Sequence, residues 1–158
     1  MSQENVEIVR RFFDAAERSL KALDRSRSVA EAVRAGDIPP ETADLVRYLS
    51  PDIEWRPVFS SETYRGLVEM ARGWDELLEA SVDYSLKLLD ATSLDKDRVF
   101  VTFGPALEGR SSGIRVNASV YAVVSLRDGL IVALVEFTDR QEALEAVGLS
   151  EQDAHADS

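Results

Sequence analysis

The sequence predicts an α+β fold in which a strongly bent mixed or antiparallel sheet wraps around N-terminal helices. Two observations carry this. Apolar residues recur at three-to-four spacing through most of the first eighty positions, and four β-rich runs separated by turn signals follow from Tyr84 onward. Helices first and strands afterwards is the order of an α+β chain, with its helices gathered on one face of the sheet. A third observation, the Arg127-Asp128-Gly129 turn between two apolar runs, marks a closing hairpin. A cone with one internal pocket is a natural product of such bending.

From Asn5 the residues Val6, Ile8, Val9, Phe12, Phe13, Ala16, Leu20 and Leu23 place one apolar face along a long helix, for which Ser2 is a candidate N-cap. Asp24 to Gly36 either prolongs that helix or forms a second short one, and Gly36 with Pro39-Pro40 ends it. Thr42 to Leu49 reads as a short helix. Ser50-Pro51-Asp52 then reads as a stop and turn before a strand over Ile53 to Arg56. After the turn-rich stretch Phe59 to Gly66, helical spacing returns over Leu67 to Ser81. The β-rich runs are Tyr84 to Ala91, Arg98 to Phe103, Gly113 to Leu126 and Leu130 to Thr138. A last amphipathic piece, Arg140 to Val147, stops at Gly148. The chain divides into one domain over 1–149 and an acidic tail over 150–158, expected to be disordered because it has nothing to pack.

The 158 residues, 45% of them apolar, suffice to bury a core without disulfides or a structural metal. With no cysteine and one histidine, His155 in the polar tail, there is no thiolate chemistry, no multi-histidine metal site and no imidazole for a nucleophilic triad. No metal and no cofactor is expected. Twenty-nine acidic against 18 basic residues give a net charge of -11, which repels phosphate backbones and anionic lipid, so neither nucleic acid nor membrane is an expected partner. The opening residues hold no uninterrupted apolar run of a secretory signal, so a cytoplasmic address is expected.

Four segments in order, SQENVEIVRRFF, LSPDIEWRP, TYRG before a helix, and SLRDGLIVALVEFTDRQEALEAVGL, resemble bacterial SnoaL-like proteins of the ketosteroid-isomerase-like, nuclear-transport-factor-two-like superfamily. The resemblance implies a cystatin-like cone with a small-molecule pocket, and two-fold pairing through the outer sheet face to give a homodimer. The chain departs from the family by about fifteen extra residues, about Leu20 to Arg34, ahead of Ala35-Gly36-Asp37. They fit either a longer solvated helix or a partner surface or lid over the pocket mouth.

The chemistries known in the family do not carry over. Where a ketosteroid isomerase needs an Asp base, a Tyr and a protonated Asp, this chain has Arg56, Phe12 or Phe13, and a place near Ala122. A guanidinium cannot serve as base. Where limonene epoxide hydrolases place an Asp-Arg-Asp set, the chain has Phe103, Pro105 and Glu136, and only one carboxylate survives. For a SnoaL-type cyclase, Glu136 and Asp139 are candidate acid and base. Their spacing of three puts them on opposite strand faces, so at most one points inward.

Glu136 is the leading catalytic candidate, because an acid inside LIVALVEF must be at an edge, paired or functional. Arg56 is the second, as a holder of a carboxylate or enolate or as a surface ion pair. The resemblance and strand parity give Phe13, Trp55, Phe103 and Ala122 as pocket residues. Trp55, Trp74, Tyr64, Tyr84 and Tyr121 fit either a pocket wall or ordinary core. Three functions follow: binding of a small hydrophobic molecule without a recognisable catalytic set; a lyase, isomerase or cyclase with Glu136 as base; and a non-catalytic interaction module.

Overall fold

A computed structural model describes residues 2–148. The acidic tail and His155 lie outside the described residues. The first helix, α1 (Ser2–Ala22), begins at Ser2 itself, so that residue is helical rather than the cap outside the helix. Val6, Val9, Phe12, Phe13 and Ala16 form its buried stripe against the sheet. Asn5 ties the start of α1 to the carbonyl of Lys96 at 2.8 Å. Of the two readings of Asp24 to Gly36, the second short helix is the one found: α1 ends at Ala22, a turn follows, and a separate helix α2 (Val29–Ala35) ends at Gly36, whose φ of 73° is the left-handed conformation glycine adopts freely. The next helix, α3 (Pro40–Val46), packs on α1, where the buried hydroxyls of Ser19 and Thr42 meet at 3.1 Å.

The strands are β1 (Leu49–Arg56), β2 (Tyr64–Arg65), β3 (Ser81–Ser93), β4 (Arg98–Gly109), β5 (Arg115–Asn117), β6 (Val120–Arg127) and β7 (Leu130–Phe137), with helix α4 (Leu67–Ala80) between β2 and β3. They form one curved, unclosed sheet in the order β2-β1-β7-β6-β4-β3, with β5 paired to β4. The sheet is mixed, since β1 runs parallel to β7 while every other pair is antiparallel. At the β6–β7 turn, Asp128 and Gly129 have φ of 53° and 79°, the pair of positive angles a tight hairpin requires.

Three expectations are corrected. Ser50-Pro51-Asp52 does not stop the chain; β1 passes through it, and the irregularity is absorbed by a register shift of β1 against β7 between Leu49 and Glu54. The turn-rich stretch after Phe59 hides the two-residue strand β2. The run from Gly113 to Leu126 is broken at exposed Ala118 and Ser119 into β5 and β6.

Two apolar clusters follow from this layout. The larger lies inside the curve, where α1, α3 and α4 meet the sheet. The smaller lies on the outer face, where α5 (Arg140–Ala146), capped by Asp139 accepting from the Gln141 amide at 2.8 Å, packs Ala143 and Leu144 against Phe100 and Val123. No helix among the described residues is long and apolar enough to cross a membrane.

Candidate functional site

The alternation of β1 sends Ile53 and Trp55 into the curve and Glu54 and Arg56 out. Trp55 lies beside Leu134 of the parallel strand β7, and Glu136 is two residues further on the same face. The indole Nε1–H donates to Glu136 Oε2 at 2.8 Å, and the Val58 amide donates to Oε1 at 3.1 Å just after β1 ends. Both carboxyl oxygens are thereby fixed by donors from one segment. Opposite Glu136 on β6 stands Ala122, fully buried and without bulk to crowd the carboxyl.

Rings surround this point. Trp55 stacks on Trp74 of α4 with centroids 5.5 Å apart and 17° between planes, and Trp74 meets Tyr84 of β3 edge-on at 5.7 Å. Deeper in, Phe13 of α1 contacts Phe103 of β4 at 5.4 Å. The close approach of α4 to Trp55 depends on Gly73, where an added Cβ would come within 2.8 Å of Trp55 Cζ3.

Between these elements is a cavity of about 130 Å³. An apolar cavity of about 150 Å³ accepts a benzene ring, so this space suits a molecule of about one small ring. Its walls come from every inner element, including Val29 and Val33 of α2. Among the described residues lining it there is no Lys, Arg or His. The ionisable groups on it are Glu136 and the Tyr84 phenol. Burial pushes the Glu136 carboxyl up to about 7, against the opposing pull of the Trp55 and Val58 hydrogen bonds. Burial likewise raises the Tyr84 hydroxyl, and the negative charge of Glu136 raises it further. That hydroxyl makes no hydrogen bond among the described residues.

Phe13, Trp55, Phe103 and Glu136 all line the cavity. Ala122 does not, although it is fully buried; Val120 on the same strand and Leu134 on β7 do. Of the two readings of Arg56, the catalytic one is corrected and the surface ion pair is what is found: strand parity turns it away from the cavity, and its side chain is 54% exposed and lies 3.7 Å from Glu54 on the outside. Asp139 caps α5 and takes no part. The sequence reasoning did not reach Val29, Val33 or Asp75, although Ser28-Val29-Ala30-Glu31 carries the Ser-x-x-Glu signature of a helix start and would have placed α2. Among the described residues no three His, Cys, Asp or Glu side chains gather to hold a metal ion.

With this geometry in view, comparison with known proteins is informative about ancestry. A model of the SnoaL-like domain matches residues 26–134, more than half of the chain. The protein belongs to the SnoaL-like family. No curated protein matches the sequence. Among solved structures it is similar to a putative SnoaL-like polyketide cyclase from Jannaschia sp. CCS1, with a TM-score of 0.57, 19% identity, and coverage of 92% of this chain and 89% of that one. It is similar to an LEH-like epoxide hydrolase from M. tuberculosis (TM-score 0.55, 18% identity, 90% and 88% covered). A Xanthomonas campestris protein of unknown function with a cystatin-like fold gives a TM-score of 0.54 at 23% identity, over 83% and 94% of the two chains. At these identities the likeness establishes the fold.

Proposed function

We propose that the protein binds a small, mostly apolar, uncharged molecule in this cavity, gripped by the rings and oriented by one polar contact to Glu136. The observation that carries the reading is a lone carboxyl in an otherwise apolar wall with no cation beside it. A ligand carboxylate would meet a buried acid with nothing to neutralise it, whereas a hydroxyl or carbonyl finds Glu136 and the free Tyr84 hydroxyl as partners. Native mass spectrometry of the protein purified from its host tests this. A bound neutral organic compound of low mass supports the reading, and a persistently empty protein that also ignores added neutral aromatics contradicts it.

One observation favours a second reading, acid–base catalysis on such a ligand. A carboxyl at about 7 is half ionised at neutral pH, the condition under which it exchanges protons most usefully, and Tyr84 supplies a donor for a developing oxyanion. Under this reading Glu136 is the base and Tyr84 its partner; Arg56, exposed on the other side of β1, has no role. Replacing Glu136 by Gln would abolish turnover while binding persisted.

A homodimer through the outer sheet face is part of the proposal. There α5 covers the ground near Phe100 and Val123, while Leu89, 53% exposed, lies over Gly104. A second copy would bury that apolar remainder.

A further inference from the structure

We propose that the segment between α1 and α3 sets the length of ligand the cavity accepts, with Val29 and Val33 as the size-determining side chains and Asp75 as the residue that positions them. The inference rests on the small-molecule reading above.

Val29 and Val33 are four apart on α2 and so project from one helix face, and both line the cavity. A helix of seven residues has little stability of its own, so its place is decided by what it is fastened to. That fastening is to α4. Asp75 Oδ1 accepts the Val29 amide at 2.7 Å, and Oδ2 accepts the Ala30 amide at 3.0 Å and the Ser28 hydroxyl at 2.7 Å. Ser28 in turn accepts the Glu31 amide at 3.1 Å. Three of the free N–H groups at the start of α2 are thus satisfied, two of them by a side chain of another helix.

A second clamp acts one turn earlier in the chain. The Arg25 guanidinium donates to the Leu78 carbonyl in the last turn of α4 and to the carbonyls of Ser81 at 2.6 Å and Val82 at 3.1 Å at the start of β3. The segment is therefore held at both ends of its approach to α4, the helix that also supplies Trp74 to the cavity. Asp75 adjoins Trp74 in sequence, so the anchor of the valine wall and the ring facing the ligand move as one unit. Asp75 touches no ligand in this scheme; it acts by placing α2.

The test uses the full chain and a series of para-alkylphenols of increasing alkyl length, titrated by calorimetry into the wild type, Val33→Phe, the double variant Val29→Ala with Val33→Ala, and Asp75→Ala. Amide exchange is followed in the same proteins. The wild type should show a sharp length cut-off. Val33→Phe, whose ring reaches about three carbons further than valine, should shorten it by about two carbons or more, and the double alanine variant, which withdraws about one carbon of reach at each position, should lengthen it by about one carbon. Asp75→Ala should blur the cut-off and speed exchange of the 29–35 amides by about tenfold while leaving those of β6 and β7 unchanged. If the wild type binds and all four proteins share one cut-off, the inference fails and the pocket reading stands. If only the opened variants bind, the segment controls entry and the inference stands. If none binds, the small-molecule reading fails and takes the inference with it.

Discussion

The Trp55 indole donates to the Glu136 carboxylate at 2.8 Å, so the end of β1 and the end of β7 are joined by a polar bond inside an apolar wall. The bond stabilises the charged form of Glu136, yet burial outweighs it and leaves the carboxyl at about 7 instead of its ordinary 4.5. Between those values the folded protein keeps a proton that the unfolded chain has released. Stability contributed by the neutral carboxyl is therefore fully present below 4.5 and is lost as pH rises through 7, by up to about 3 kcal/mol. Wild-type protein should lose about 5 to 10 °C of melting temperature between pH 5 and 8 relative to Glu136→Gln, which has no such titration. Parallel melting curves for the two proteins across that range would contradict the burial of this group.

Replacing Trp55 by Phe removes the N–H while keeping a ring. With the stabilising hydrogen bond gone and burial retained, the carboxyl of Glu136 should titrate above the wild-type value, and carboxyl-carbon NMR of the variant measures this directly. The smaller ring also leaves a void, so the variant should be less stable by about 1 to 3 kcal/mol.

Glycine inside a helix is ordinarily improved by alanine, by about 1 kcal/mol. At Gly73 the sign should reverse. The new methyl would sit 2.8 Å from Trp55 Cζ3, against a ring locked by Trp74, Tyr64 and Glu136, and overpacking of this kind costs about 1 to 3 kcal/mol. Chemical denaturation of Gly73→Ala should show a loss, accompanied by a shift in tryptophan emission, since Trp55 and Trp74 are the two tryptophans of the sequence.

Light scattering should give a mass near twice 17.5 kDa if the outer sheet face pairs with a second copy. Leu89→Lys, a change at an exposed position on that face, should then yield monomer with an unchanged melting profile per chain. A wild-type monomer at all concentrations would remove the dimer from the account.

Much of the fold was legible because its signals are local. The three-to-four spacing of Val6, Val9, Phe12, Phe13 and Ala16 fixes the buried face of α1, and Asp128-Gly129 can hardly be anything but the β6–β7 turn. What misled is equally specific. Pro51 suggests a break, but the chain stays extended there because the ladder to β7 is interrupted at the same place. For the site, period-two alternation suffices to put Trp55 and Glu136 inside, and the same parity turns Arg56 outward. The same alternation puts Ala122 on the inner face, but its one-carbon side chain does not reach the cavity wall that Val120 and Leu134 line. The contributions of Val29, Val33 and Asp75 depend on how α2 docks on α4, a long-range contact with no local sequence period to announce it.

The most direct test of the central claim, a ligand-binding cavity with Glu136 as its polar contact, is a carboxyl-carbon NMR titration of Glu136 with and without para-ethylphenol. The account predicts a midpoint near 7 in the free protein, displaced when the phenol is added and unmoved by para-ethylbenzoate. A midpoint near the ordinary value of 4.5, indifferent to both compounds, would contradict it.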